Sequence, residues 1–313
     1  STFGNTTDYK LTFQYSLTDD LSLRGSTSTG FRAPTVGQAS VVNTATSLVN
    51  GELIQSFLAP PTDPLSAFYG GKELTPEESK SYAFGGVYTS GDFFLTVDYY
   101  NIEVTDRIAQ SSQIDVLAED YAELEALGVQ NPELISAVTY FANDFDTTTQ
   151  GIDVVANYSM QLFDGDTQFS FAYNWNETEV DSFNPDTTTL GKVRRLEEGM
   201  PNHRGTLTMS QQWDNVQMFV RANYFGEYFA VHADDAEAGG WNETADAAVT
   251  FDAEVSYFFN EEFSVALGAN NLFDQEAHKL PSSSYGVLGA QYYESGPFDY
   301  NGGYYYAKVT YNF

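Results

Sequence analysis

Along most of the chain, apolar residues recur at every second position, the period of a strand with one face in an apolar phase. From Ala247 to Phe259, the residues Ala247, Val249, Phe251, Ala253, Val255, Tyr257 and Phe259 share one face. Thr250, Asp252, Glu254 and Ser256 share the other. A helix would scatter these acids around its circumference. The pattern returns where Tyr9, Leu11, Phe13, Tyr15 and Leu17 alternate with Lys10, Thr12, Gln14 and Ser16. It returns again in Phe169–Trp175, Phe263–Ala269 and Tyr305–Phe313.

This template predicts about eleven strands. They cover residues 7–17, 21–33, 77–89, 92–108, 147–162, 166–180, 202–213, 215–231, 243–259, 262–273 and 303–313. Several reach the roughly nine to eleven residues that cross a bilayer at a tilt. Connections alternate in length. Short turns fall at Thr18-Asp19-Asp20, Thr89–Asp92, Phe163–Asp166, Asp214-Asn215 and Asn260–Glu262. Long polar connections span 34–76, 109–146, 181–201, 232–242 and 274–302. Short turns on one side and long loops on the other predict an all-β fold, a transmembrane antiparallel β-barrel. Its turns lie toward the periplasm and its loops outside the cell. One loop is predicted to be partly helical. Asp115 would cap a helix to Leu127 with Leu117, Tyr121, Leu124 and Leu127 on one stripe, Gly128 as its C′ residue and a short second helix starting at Asn131-Pro132.

Closure then sets the size. In hydrocarbon each unpaired backbone group costs several kcal/mol, so a sheet with two raw edges cannot sit in a bilayer. Bacterial single-chain barrels also have even strand numbers. The polar faces carry Arg24, Asp98, Asp153, Arg221, Asp252, Glu254 and Lys308, which need water or a plug to satisfy them. Together these predict a large barrel of which this chain holds one part, starting at Ser1 without a signal peptide.

Composition narrows the classes. Thirteen Lys and Arg against 44 Asp and Glu give a net charge of −31, which excludes a nucleic-acid partner. Aromatics make up 16% of residues, which suits two interfacial girdles. No run of apolar residues is long enough for a membrane helix. Cysteine is absent, which removes thiolate metal sites and cysteine nucleophiles.

Several segments resemble the C-terminal barrel of TonB-dependent outer-membrane receptors. They are Ser28-Thr29-Gly30-Phe31-Arg32-Ala33-Pro34-Thr35, Leu74-Thr75-Pro76-Glu77-Glu78-Ser79-Lys80-Ser81-Tyr82 and Val97-Asp98-Tyr99-Tyr100-Asn101-Ile102 running on to Ile108. Further on come Gln150-Gly151-Ile152-Asp153, Gly199-Met200-Pro201-Asn202-His203-Arg204, Gly268-Ala269-Asn270-Asn271-Leu272-Phe273-Asp274 and the terminal Tyr304–Phe313. The resemblance implies a Gram-negative outer-membrane protein built on about twenty-two strands around a plug. Residues 1–313 would be the C-terminal part of that barrel, and nothing in them resembles the plug or the TonB box. It further implies active import of a scarce nutrient, a ferric siderophore or an oligosaccharide, driven by the TonB–ExbB–ExbD complex through an N-terminal part outside this chain. A passive porin or a surface adhesin built on a barrel is the alternative. Phe313 resembles the terminal aromatic read by the barrel-assembly machinery.

Candidate chemistry is sparse. No cofactor is implied, and no Ser/His/Asp arrangement suggests an enzyme. His232 with Asp234 and Asp235 offers a divalent-cation set on a short acidic loop. His278 has no partner visible in the sequence. Ligand contacts are expected from the loop aromatics Trp241, Tyr285, Tyr292, Tyr293, Phe298 and Tyr300, which can stack on sugar or siderophore rings. Arg194 and Arg195 form, with Lys192, the one dense basic cluster and suit an anionic ligand. Lipopolysaccharide and outer-membrane lipid are the expected surroundings of the outward face.

Overall fold

The structure, a computed structural model, describes residues 6–49, 52–230, 242–284, 289–293 and 296–312. Eleven strands form one antiparallel sheet in which sequence neighbours are spatial neighbours throughout. They are β1 (Lys10–Ser16), β2 (Leu21–Arg32), β3 (Glu77–Ser90), β4 (Phe93–Gln110), β5 (Phe141–Leu162) and β6 (Gly165–Phe183). After these come β7 (His203–Gln212), β8 (Val216–Phe225), β9 (Ala248–Phe258), β10 (Phe263–Asn270) and β11 (Tyr304–Tyr311).

The register sorts the two faces. Phe13, Gly25, Phe84, Tyr99, Ile152, Trp175 and His203 lie side by side across seven strands. On this face Leu11, Phe84, Phe171, Leu207, Val255, Leu267 and Val309 are exposed. An apolar face of that extent needs an apolar phase against it, and lipid supplies one. The adjacent row is Gln14, Arg24, Gly85, Asp98, Asp153, Asn174 and Arg204, on the polar, lumen face. Charges here are held by neighbours. Arg24 donates to Asp98 from Nε at 2.7 Å and from Nη2 at 2.5 Å. Asn174 donates to Asp153 at 2.7 Å and Asn223 to Asp252 at 2.8 Å.

Glycine makes three of these lumen contacts possible. Arg24 and Asp98 meet over Gly85, Tyr100 lies over Gly151 to reach Asn176 at 2.7 Å, and Tyr306 lies over Gly268 to reach Glu254 at 2.6 Å. In each case a Cβ would collide with the bridging side chain. A side chain thereby spans two strand intervals and ties three strands at one register.

Three strands extend past their predicted ends. β4 continues to Gln110, β5 begins at Phe141 and β6 runs to Phe183, with a register shift between Val180 and Ser182. In these extensions the buried Ile108 and Phe145 stand among polar residues such as Asn143, Asp144 and Asp146 without strict alternation, so the period-two contrast fades. β8 and β9 are shorter than predicted. β8 stops at Phe225, and Tyr228–Ala230 pairs with Glu243–Ala245 as a separate two-stranded sheet.

The first two long loops fold together. Asn43–Val49 pairs with Glu52–Leu58, which runs parallel to Ile135–Thr139 from the other loop. Ile114–Asp115 completes this four-stranded sheet. Beneath it Ala59, Leu65, Val116, Leu124, Ile135, Val138 and Tyr140 form a buried core. The helix predicted from Asp115 starts only at Tyr121 and ends at Ala126, because Asp115 pairs with Ala137 and a 3-10 turn at Ala118–Asp120 intervenes. Leu124 is fully buried and Tyr121 packs on the core, while Leu117 and Leu127 are exposed. Gly128 does take the left-handed C′ conformation, at φ 94°. Asn131-Pro132 opens a 3-10 turn. The Tyr140 hydroxyl donates to the Tyr69 carbonyl at 2.6 Å, and the Tyr69 hydroxyl donates to Asp120 at 2.9 Å. Burial pushes both phenols up to about 12, with Asp120 adding to the shift at Tyr69.

Candidate functional site

A second loop cluster sits over the extracellular ends of β8, β9 and β10. The turn after β10 sets it in place. Asn271 and Asp274 adopt left-handed φ values of 50° and 56°, which Asn and Asp tolerate better than other side chains. The Asn271 amide N–H donates to Asp252 at 2.9 Å, and Gly303 N–H donates to Asp274 at 2.7 Å. Both ends of the last loop are thus fixed to the barrel rim. The loop then packs Leu280 and Tyr293 against Tyr228, Ala230 and Ala245 of the two-stranded sheet. The helix Leu190–Glu198 joins them from the side, with the Arg194 guanidinium 3.9 Å above the Phe229 ring.

Between this cluster and the sheet lies a cleft of about 430 Å³. Phe225 and Phe298 form one wall, with ring centroids 5.3 Å apart. Asp246, Gln275, His278 and Lys279 supply polar groups. Phe225 and Ala248 are paired on the lumen face in register with Arg204, so the cleft opens toward the barrel interior. His278 Nε2 lies 2.9 Å from Glu243, and its ring stacks on Tyr293 at 5.9 Å. Lys279 donates to Glu276 at 2.6 Å. Aromatic faces beside groups of both charges suit a ligand that carries a ring and polar substituents.

The sequence matches the family described as TonB dependent receptor-like, beta-barrel, over residues 1–272. The chain belongs to this family. A comparison with curated proteins gave no match. Solved structures agree on the fold of this receptor-like barrel. A variant of the ferric enterobactin receptor PfeA from Pseudomonas aeruginosa aligns with 98% of the chain and 40% of its own, at 16% identity and a TM-score of 0.65. The siderophore receptor PirA from Acinetobacter baumannii aligns with 100% and 42%, at 15% identity and 0.63. The copper transporter OprC aligns with 97% and 39%, at 15% identity and 0.62. The receptor-like barrel spans about two-fifths of the length of these structures. Family membership implies the Gram-negative outer membrane. Among the described residues no helix is long and apolar enough to cross a membrane.

Several residues expected to bind ligand come together in this receptor-like barrel. Tyr292 stacks on Tyr300 at 5.7 Å, and Lys279 Nζ lies 5.7 Å from the Tyr292 ring. Tyr300 is exposed, whereas Tyr293 is buried and turned to His278. Arg194 is held by Glu198 at 2.9 Å as well as by Phe229, and Arg195 is half-buried on the same helix. Trp241, Tyr285, His232, Asp234, Asp235 and Phe313 lie outside the described residues. Among the described residues no three metal-ligating side chains converge. Sequence reasoning missed Phe225 and Asp246. Phe225 had a signal, an aromatic on a strand face otherwise made of Gln217, Arg221 and Asn223, with Phe219.

Proposed function

We propose that this chain supplies part of the wall and the extracellular loops of a TonB-dependent transporter that imports a ferric siderophore or an oligosaccharide. In this reading the eleven strands are about half of a barrel of roughly twenty-two, closed around a plug. The TonB–ExbB–ExbD complex drives transport through the plug-bearing part of the protein. The barrel-assembly machinery inserts it. The observation that carries the reading is the lumen-side cleft between Phe225, Phe298, His278 and Lys279, set at the mouth of a polar-faced sheet. Tyr292, Tyr300, Arg194 and Arg195 add candidate contacts from the loops. Siderophore and copper uptake by proteins of similar fold favours a metal-complex ligand.

The test is uptake by cells that express the full-length protein, with labelled ferric siderophores and labelled oligosaccharides offered in turn. Accumulation of one class that stops when the proton gradient is collapsed supports active import. Uptake that continues unchanged after collapse would leave a passive pore as the function.

A further inference from the structure

A second cleft, of about 350 Å³, lies on the other side of the same two-stranded sheet. Its floor is the outward face. His203 shares a row with Trp175, Ile152 and Tyr99, and Tyr224 shares one with Gly205 and Tyr173. His203 and Tyr224 are the last outward positions of β7 and β8 before the loops, so the cleft sits at the boundary between lipid chains and headgroups. The His203 ring is fixed there by a 2.7 Å hydrogen bond between Nδ1 and the Tyr173 hydroxyl. Tyr224 presents 42% of its surface. Asn202, Glu227 and Thr244 line the upper wall, along with Glu198.

Charge decides what such a cleft can hold. Arg194, the cation beside it, is engaged by Glu198 at 2.9 Å and by the Phe229 ring. Glu227 then leaves the cleft acidic. The outward face above the girdle continues with Glu103, Glu177 and Glu179, and Lys80 is the cation on that face among the described strand positions. A phosphate would meet carboxylates here. A sugar fits better, because its hydroxyls donate to carboxylates in charge-assisted bonds and its C–H face lies on an aromatic ring.

We propose that this outward cleft seats the uncharged sugar of an outer-leaflet glycolipid, with Tyr224 as the stacking surface and Glu227, Asn202 and Thr244 taking the hydroxyls. The site is independent of nutrient import, since it opens away from the lumen.

The test uses the full-length protein in nanodiscs of phosphatidylglycerol mixed with monoglucosyl-diacylglycerol, a glycolipid without phosphate. Lipids retained by the protein are counted by native mass spectrometry. Wild type is expected to hold the glycolipid roughly five-fold above its share of the bilayer. Tyr224→Ala should return it to the bulk share, Tyr224→Phe should keep it, and Glu227→Gln should lower it with the ring wall intact. Heat-modifiable electrophoretic mobility confirms that each variant is folded. No enrichment in wild type, or enrichment that survives both Tyr224→Ala and Glu227→Gln, overturns the proposal. Preferential retention of phosphatidylglycerol would also overturn it, because it would place phosphate in the cleft.

Discussion

Gly151→Ala adds a single methyl group where Tyr100 crosses from β4 to β6. The new Cβ would meet the Tyr100 ring and hydroxyl and the Trp175 carbonyl oxygen. That carbonyl belongs to the β5–β6 ladder and cannot withdraw without breaking the register. The Tyr100 ring must therefore swing away and give up its 2.7 Å hydrogen bond from Asn176. Overpacking of this kind costs about 1–3 kcal/mol. Losing the hydrogen bond adds about 1 kcal/mol. Replacing glycine in a strand returns about 0.5–1 kcal/mol of backbone entropy. The net loss is about 1–3.5 kcal/mol. Gly205→Ala is the control, since its Cβ would find its nearest neighbours at 3.7 and 3.8 Å. That change should be neutral or stabilise by up to about 1 kcal/mol. Both are read from equilibrium urea unfolding of the full-length protein in lipid vesicles, followed by tryptophan fluorescence. A third variant isolates the ring's share: once Tyr100→Ala has removed the ring, Gly151→Ala should cost less than it does in wild type, the remainder coming from the contact with the Trp175 carbonyl oxygen. Equal midpoints for the Gly151 and Gly205 variants would refute the reasoning.

Two further outcomes follow from the faces and the loop core. Val255→Arg, on the outward face, should cost up to about 2–4 kcal/mol, while Ser256→Arg, one residue on and facing the lumen beside Glu254, should cost far less in the same urea assay; similar costs would invert the facing assignment. Leu124→Ala, in a fully buried site of the loop core, should lose about 2–4 kcal/mol of local stability. Hydrogen exchange should then rise in 52–58 as well as in 109–146, and a rise confined to 109–146 would show that the two loops are not one unit.

The membrane strands were legible because lipid imposes a single rule on every second residue. Tyr9 to Leu17 and Val249 to Tyr257 obey it without exception, and the five short turns fall where Asp, Asn and Gly interrupt the alternation. The loops obey no such rule. Asp115 has the right chemistry for a helix cap, but pairing with Ala137, distant in sequence, competes for its backbone and wins. Tyr292 and Tyr293 are adjacent and chemically alike, yet one stacks on Tyr300 and the other is buried on His278. Which of the two meets solvent depends on the packing of Leu280 against Tyr228, a contact between chain segments far apart in sequence. Phe225 could be recognised only by asking why an aromatic occupies the polar face of its strand.

The parallel pairing of Glu52–Leu58 with Ile135–Thr139 bears on how this surface is seen from outside the cell. Neither loop carries a complete core, so a peptide copied from one of them would not hold the shape the pair adopts. An antibody or phage protein that recognises the folded pair would read residues about eighty positions apart as one epitope. Grafting either loop alone onto another barrel would transplant half of a fold, and any exchange that preserves recognition has to move the two together.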